Sequence, residues 1–147
     1  ESKALDVKKL CVKKGEKVWG VSVDICTIND AGNLIDAAGL AAIAALQNTE
    51  FPAYDGIEIN YKEKTGEKLP LSKTPIPITV LKIGRNFVVD ALQEEMECYD
   101  ARLTVTTTAD GRICSLQKGG DAAITTEDVA KMVDISLEQA EKLRQKL

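Results

Sequence analysis

Apolar and polar residues alternate along several short stretches of the chain, and the clearest of these stretches is residues 18–27. A period of two places successive side chains on opposite faces, so this pattern predicts a half-buried β-strand. The polar face carries Ser22, Asp24 and Cys26. The apolar face is formed by Trp19, Val21, Val23, Ile25 and Thr27.

Further strands are predicted on both sides of turn signals. Gly84-Arg85 and Asp110-Gly111 each separate two strand-like stretches, as in β-hairpins. The lysine-rich residues 62–68, with Gly66, predict an exposed loop or hairpin tip. The remaining predicted strands are residues 8–12, 56–61, 76–83, 86–90, 101–108 and 112–118.

Three segments have helical character. Residues 34–47 are rich in alanine and apolar on almost every side, which is typical of a helix buried among its neighbours. Residues 92–98 predict a short acidic helical turn. Residues 125–147 predict a terminal helix that starts with a variant capping box, Thr125 and Asp128. The order of elements predicts an α+β fold with mixed sheets, a buried alanine-rich helix and a C-terminal helix.

Composition narrows the possible chemistry. The 147 residues are 44% hydrophobic and 29% charged, as in a globular domain, and they include no histidine, the commonest general base and zinc ligand. The four cysteines form no C-x-x-C pair, which predicts reduced, mostly buried thiols and no metal site. The longest apolar stretch, residues 37–46, is too short to span a bilayer. We therefore expect a cytoplasmic protein without a membrane partner.

The net charge is −4, and the charged residues are unevenly distributed along the chain. Residues 1–17 contain six lysines and three acids, whereas residues 18–60 contain no lysine or arginine. A chain-wide electrostatic attraction to nucleic acid is therefore not indicated, although local basic patches are possible. Three lysines in residues 62–68 could contact RNA, but the glutamates between them favour a solvated loop.

Two segments carry candidate chemistry. Residues 30–33, Asp-Ala-Gly-Asn, precede the helix at residue 34, whose free N–H groups could bind an anion. No cation completes such a site, so a plain turn is favoured. Asp90 closes a predicted strand and is followed by the acidic residues Glu94 and Glu95. This arrangement could place carboxylates in a cleft for acid catalysis or metal binding.

Five segments of the chain carry a family resemblance: Val-Trp-Gly-Val-Ser-Val-Asp-Ile (18–25), Asn-Asp-Ala-Gly-Asn-Leu-Ile-Asp-Ala-Ala (29–38), Ala-Ala-Leu-Gln-Asn-Thr (44–49), Val-Val-Asp-Ala-Leu-Gln-Glu-Glu (88–95) and Leu-Gln-Lys-Gly-Gly (116–120). Together they resemble the RNase PH family, and within it most closely the non-catalytic RNase PH-like subunits of the archaeal exosome ring. The resemblance runs over the whole chain but covers only the C-terminal portion of the family domain. Residues 1–147 are therefore expected to be a single partial domain that lacks the N-terminal part, and residues 1–6 resemble the end of a helix.

The resemblance also implies which residues would carry catalysis. Catalytic members cleave RNA from its 3′ end with inorganic phosphate, which a Gly-Thr/Ser-Arg sequence holds at the start of the buried helix. In this chain Ile35 stands where that arginine would be. Asp90 matches the first of two catalytic aspartates, but Met96 stands where the second would be. A hydrocarbon and a thioether replace a cation and a carboxylate, so a catalytically silent chain without a cofactor is expected.

A silent member of this family is implied to have structural and RNA-binding roles. The implied partners are a catalytic RNase PH-like paralogue in a heterohexameric ring, RNA-binding cap proteins, and RNA itself. Lys3, on the expected remnant of a helix, is a candidate RNA contact. Two alternatives stay open: an active phosphorolytic ribonuclease of the same family, and a stand-alone α+β binding module.

Overall fold

The computed structural model describes residues 2–147, which contain eight β-strands, three α-helices and one 3-10 helix (Val7–Leu10). The strands and helices alternate irregularly, as in α+β proteins. In chain order they are β1 (Cys11–Lys13), β2 (Lys17–Val18), α1 (Leu34–Asn48), β3 (Glu50–Tyr54), β4 (Ile59–Lys68), β5 (Ile76–Ile83), β6 (Asn86–Val89), α2 (Gln93–Met96), β7 (Ala101–Thr107), β8 (Ile113–Gly119) and α3 (Thr126–Arg144).

A four-stranded antiparallel sheet with the order β6-β5-β7-β8 is the centre of the fold. The two predicted hairpins connect β5 to β6 and β7 to β8, with Gly84 and Gly111 in the left-handed backbone conformation that such turns require. The sequence analysis predicted all four of these strands, and the structure confirms them. The pairs β1-β2 and β3-β4 form separate two-stranded sheets.

Helices α1 and α3 both pack against the central strand β5. On one face its alternate residues join a buried cluster with Met132 and Ala140 of α3. Beyond the end of β6, which pairs only with residues 80–83 of β5, Pro77 and Thr79 contact Gly39 and Asp36 of α1. The start of α1 therefore lies against the part of β5 that β6 leaves unpaired, and Ile43 of α1 joins the buried cluster. The buried cluster consists of Ile43, Ile76, Ile78, Val80, Leu103, Val105, Met132 and Ala140.

Helix α3 is tied to the sheet at both of its ends. At the start, the predicted capping box is present, because Thr125 and Asp128 exchange side chain to backbone hydrogen bonds. Lys82 of β5 also pairs with the Asp128 carboxylate at 2.5 Å. At the end, Arg144 Nη2 donates to the carbonyl oxygen (2.6 Å) and the hydroxyl oxygen (2.7 Å) of Thr107. Both contacts hold α3 across the sheet.

Replacing Arg144 with methionine is expected to lower the free energy of unfolding by about 1.5–3 kcal/mol, the usual worth of hydrogen bonds to a charged group. Methionine keeps an apolar stem but leaves the fully buried Thr107 without its donor. Urea denaturation measures the loss. The matched control is Lys142→Met, which removes only an exposed pair with Glu138 and should change stability by less than ~0.5 kcal/mol. Equal effects of the two variants would contradict the role given to Arg144.

Several sequence predictions are wrong, and most of them concern exposed segments. Within the predicted strand at 18–27, only Val18 lies in a strand, and residues 22–27 are exposed. Residues 62–68 belong to the long strand β4 and not to a loop. Residues 2–6 contain no helix, and Lys3 has a left-handed φ of 51°. Three of the four cysteines are exposed, although all four are free thiols.

Candidate functional site

The loop before α1 lies directly against the turn that follows β6. Gly32 has a φ of 109°, and a Cβ atom there would lie 2.3 Å from the carbonyl oxygen of Ala91. Only glycine combines this backbone conformation with so close an approach. The Asp30 carboxylate stabilises the loop by accepting the N–H of Gly32 at 2.9 Å. The two candidate segments of the sequence are thus brought together at the N-terminus of α1.

Asp90 stands beside the first turn of this helix, as its place at the end of β6 suggested. Asn33 Nδ2 donates to Asp90 Oδ1 at 3.2 Å, and both residues have left-handed φ values of 53°. Asparagine and aspartate tolerate this conformation better than other side chains do. The exposed Asp90 lines a cleft of about 350 Å³ together with Asp36.

The acidic residues after Asp90 do not add to this cleft as expected. Glu95 instead caps α2, because its Oε2 atom accepts the N–H of Leu92 at 2.9 Å. Among residues 2–147, no group of three or more His, Cys, Asp or Glu side chains is arranged to hold a metal ion. The carboxylate that shares the cleft with Asp90 is that of Asp36, not that of Glu94 or Glu95.

Met96 contacts the helix N-terminus through its sulfur atom. The backbone N–H of Asn33 donates to Met96 Sδ at 3.1 Å, so one donor at the start of α1 is directed at a thioether. Ile35 and Met96 line the same small cavity, where their neighbours include Leu81 and Ala91. A thioether is a weak acceptor and carries no charge. The sequence-predicted positions Ile35, Asp90 and Met96 thus all lie close to Asn33, with Ile35 and Met96 in the small cavity and Asp90 in the larger cleft.

Asp36 is the most buried acid near the site, and the sequence analysis gave it no role. Its carboxylate accepts the backbone N–H and the hydroxyl of Thr79, both at 2.7 Å, and the side chain is 7% exposed. Thr79 also shares a hydrogen bond with the buried Thr104. Burial raises the pKa of Asp36 above its ordinary value, although the Thr79 hydrogen bonds oppose this shift. A single acid in an otherwise apolar helix was the signal that could have identified it.

Arg102 contributes a cation to the small cavity lined by Ile35 and Met96. The sequence analysis gave this arginine no role. Its Nε atom is buried and has no hydrogen-bond partner among the described residues. The side chain crosses Gly119 of the neighbouring strand, where a Cβ would lie 2.3 Å from Nε. Arg102 is the only charged residue in the alternating β7 sequence, a signal that could have drawn attention to it.

Lys3, the candidate RNA contact, lies elsewhere in the fold. Its side chain is exposed, and its backbone carbonyl lies 3.3 Å from the Ser72 hydroxyl on the segment before β5. The prediction that Lys3 lies on the end of a helix is wrong, because Leu5 forms an antiparallel bridge with Leu71 and the chain runs past Ser72 without a helical turn. Lys3 therefore does not join Ile35, Asp90 and Met96.

The fold and the site together define a class of protein. It is an α+β chain in which α1 begins beside Asp90, the aspartate that follows β6. Family models agree with this class. Residues 5–52 match domain 1 of the 3′ exoribonuclease family, RNase PH, and residues 73–139 match domain 2 of the same family. The chain belongs to the RNase PH family of 3′ exoribonucleases.

Individual relatives give the same result. The exosome complex component Rrp42 of Thermoplasma acidophilum is 47% identical over 148 residues, which is 99% of this chain and 54% of the relative. Rrp42 of Archaeoglobus fulgidus is 41% identical over 99% of this chain and 54% of its own length. The chain thus spans about half the length of these relatives.

Solved structures confirm the fold class. A chain of the Archaeoglobus fulgidus exosome with RNA bound to the active site superposes with a TM-score of 0.87 at 41% identity, covering 99% of this chain and 56% of that one. A chain of an archaeal exosome core superposes with a TM-score of 0.88, covering 99% and 57%. Among residues 2–147, no helix is both long and apolar enough to cross a membrane.

Proposed function

We propose that this chain is a non-catalytic subunit of a phosphate-dependent 3′-to-5′ exoribonuclease ring. It supports RNA degradation by a catalytic RNase PH-like paralogue and forms part of the RNA path. The names of its relatives, exosome complex component Rrp42, support the assembly. The contact between the Asn33 N–H and Met96 Sδ supports the absence of catalysis, and it is the observation on which this proposal depends.

The chemical argument concerns both halves of the reaction. Holding an attacking phosphate needs cations or free N–H groups. Here one N–H is directed at sulfur and the nearby Ile35 side chain is a hydrocarbon. The cation of the same cavity, Arg102, comes from β7 and not from the start of α1, and its Nε atom lies against Gly119. Supplying a proton or a metal ion to the leaving 3′ oxygen needs carboxylates. Asp90 shares its cleft with Asp36, which is bonded to Thr79, and the family resemblance puts Met96 where the second catalytic acid would be. Loss of one contact to a developing charge already costs about 10²–10³ in rate.

Assembly is proposed on the same basis. The chain is a single partial RNase PH-like domain, residues 1–147, that pairs with the catalytic paralogue in a heterohexamer to which RNA-binding cap proteins attach. The proposed location is the cytoplasm. Lys3 is kept as a proposed RNA contact, since its side chain is exposed. No cofactor is proposed for this chain itself.

An active ribonuclease is the second candidate, because Asp90 stands at the end of β6 beside the start of α1. The substitution Asp90→Asn distinguishes an active ribonuclease from a non-catalytic subunit. Asparagine keeps an oxygen for the Asn33 amide and tolerates the left-handed conformation, but it cannot ionise. In a ring assembled with the paralogue, we expect the release of ADP from oligoadenylate and phosphate to change by less than about twofold, because no transition-state contact is lost.

Two controls accompany this measurement. The chain incubated alone with oligoadenylate and phosphate should release no ADP above the buffer background. The aspartate of the paralogue that aligns with Asp90, changed to asparagine in the same ring, should lower the rate by at least about a hundredfold. A comparable loss from Asp90→Asn in this chain, or ADP release by the chain alone, would favour the active enzyme.

A further inference from the structure

A short basic hairpin lies near the start of the chain. Residues 7–19 contain five lysines and only one acid, Glu16, although the whole chain has a net charge of −4. All five lysines are exposed, and Lys13 pairs with Glu16 at 2.7 Å. A local excess of cations of this kind attracts polyanions. The lysines of the hairpin that form no ion pair within residues 2–147 are Lys8, Lys9, Lys14 and Lys17.

Three aromatic rings lie together at the end of this basic hairpin. Trp19 packs against Phe51 and Tyr54 of β3, with ring centroids 5.6 and 6.1 Å apart. All three side chains are partly exposed. The fold thus brings aromatic rings from two distant parts of the sequence to one group of lysines.

Two open clefts are lined by Trp19 and Tyr54, and each of them also has a lysine. The larger cleft, of about 400 Å³, includes Lys17, whose ammonium lies 5.4 Å from the centre of the Tyr54 ring. This ammonium donates to the Tyr54 hydroxyl (2.7 Å) and the Gly56 carbonyl (3.0 Å), and its third N–H is left for a ligand. The other cleft, of about 300 Å³, includes Lys9. A ring beside a cation is the combination that binds nucleotides by base stacking and phosphate contact.

These rings lie beyond the opposite end of α1 from the candidate site. Phe51 follows Asn48, the last residue of α1, by three positions, whereas Asn33 and Met96 meet at the start of the helix. A helix of 15 residues is about 22 Å long. The basic hairpin and its rings are therefore a separate surface from the candidate site.

Single-stranded RNA fits this surface better than an acidic polypeptide does. An acidic polypeptide would use the lysines but not the rings, whereas every base can stack on an aromatic face. The bases of a duplex are already stacked on one another, which favours a single strand. Each cleft also has one acid, Glu16 or Glu67, but the five lysines outnumber these two and Lys13 pairs with Glu16.

We propose that residues 7–19, with the rings of Phe51 and Tyr54, form a binding surface for single-stranded RNA. Bases stack on Trp19 and Tyr54, and Lys9 and Lys17 contact the phosphates. The choice of RNA as the ligand rests on the proposed function, but the surface does not depend on whether the chain is catalytically silent. RNA is held here at a distance from the candidate site.

The test adds oligoadenylate to the 147-residue chain and follows the fluorescence of Trp19, its only tryptophan. We expect the emission to be quenched as a base stacks on the indole, and binding to weaken as salt is added. Double-stranded RNA of the same length and polyglutamate are the comparison ligands, and neither should quench the emission. Absence of quenching by oligoadenylate would overturn the proposal. Equal affinity for polyglutamate would also overturn it, because the surface would then bind acidic polypeptides.

Variants of the ring separate stacking from charge. Trp19→Leu should weaken the binding of fluorescently labelled oligoadenylate by about five- to a hundredfold, the usual loss when one stacked base loses its platform. Trp19→Phe keeps an aromatic face and should stay within about threefold of the wild type. Circular dichroism checks that both variants are folded. Equal affinities of the wild type and a folded Trp19→Leu would contradict the stacking.

Variants of the lysines need no change in the packed rings. Lys9→Gln should reduce the slope of log affinity against log salt by about 0.7, the value of one phosphate contact on a single strand. Lys131→Gln, which changes an exposed lysine of α3, should leave the slope unchanged. If the Lys9 variant keeps the wild-type slope, or if both variants lower it equally, the proposed surface is wrong.

A parallel measurement keeps this proposal distinct from the proposed function. Light scattering of the chain mixed with the catalytic paralogue tests whether a ring assembles, and the binding of oligoadenylate by the chain tests the surface. Assembly of an active ring from a chain that does not bind oligoadenylate would refute the surface alone. Binding without assembly would refute the proposed function and leave the surface supported.

Discussion

Asp36→Ala is expected to lower the free energy of unfolding of this chain by about 2–4 kcal/mol. The substitution leaves the buried N–H of Thr79 without its acceptor, and an unsatisfied buried donor costs about 1–3 kcal/mol. The Thr79 hydroxyl also loses its bond to Asp36 and keeps only the one it shares with Thr104. It also removes an acid from the first turn of α1, where the helix dipole favours a negative charge. Urea denaturation followed by circular dichroism measures the loss.

Two variants check that the hydrogen bonds are responsible. Asp36→Asn keeps an oxygen that can accept the Thr79 N–H, so it should cost less than half as much as alanine. Asp24→Ala removes an exposed acid whose recorded contact is with Ser22, and it should change stability by less than ~0.5 kcal/mol. If alanine and asparagine at position 36 cost the same, the Thr79 contacts do not stabilise the fold.

The same carboxyl group makes stability depend on pH in a defined direction. Burial raises the pKa of Asp36 above its ordinary value of 3.8. Above pH 3.8 the folded chain therefore binds a proton here more tightly than the unfolded chain does, and the resulting stabilisation is lost as pH rises through the folded pKa. The stability advantage of the wild type over Asp36→Asn should thus be greatest below pH 3.8 and decline above it. An advantage that grows with pH would contradict this.

The opposite dependence is expected of Asp128. The Lys82 ammonium holds the pKa of this carboxyl below its ordinary value of 3.8, so its contribution is present above pH 3.8 and lost as pH falls below it. Since the two groups change stability in opposite directions, the wild-type profile alone cannot isolate either of them. Comparison with Asp36→Asn isolates the Asp36 contribution because Asp128 is common to both proteins.

Local sequence signals predicted the strands of the central sheet and the start of the helix α3 that packs on it. Glycine in each hairpin turn and the Thr125–Asp128 capping box specify β5-β6, β7-β8 and the start of α3 without reference to distant residues. The alternation at residues 18–27 is just as clear, but a strand also needs a partner, and none of residues 2–147 pairs with the backbone of that segment beyond Trp19. Pairing is a property of two segments, so one segment's pattern could not predict it.

The candidate site was predicted only in part, for a similar reason. Ile35, Asp90 and Met96 came from the family resemblance, and the structure places them around Asn33. The Asp36–Thr79 hydrogen bonds join residues 43 positions apart, and no local pattern carries that information. The buried Nε of Arg102 likewise depends on Gly119, which lies on a neighbouring strand.

Gly39→Ala is expected to destabilise the chain by about 1–3 kcal/mol, although alanine is the better helix former by about 1 kcal/mol. Gly39 lies within α1, where the helix crosses β5. A Cβ atom at this position would lie 2.3 Å from Cγ and 2.9 Å from Cδ of the Pro77 ring. Since both backbones belong to packed elements, the clash can be relieved only by shifting α1 or the strand. Thermal and urea unfolding measure the net effect.

A double-mutant cycle with Pro77→Ala tests whether this contact is the cause. Removing the ring atoms that meet the new Cβ should recover at least half of the stability lost by Gly39→Ala, which gives a coupling free energy of about 1–2 kcal/mol. Gly20→Ala is the control, since a Cβ there meets no atom within 4 Å, and it should change stability by less than ~0.5 kcal/mol. Strictly additive effects of Gly39→Ala and Pro77→Ala would show that the helix tolerates a methyl group against the strand, and that the lost stability has another origin within α1.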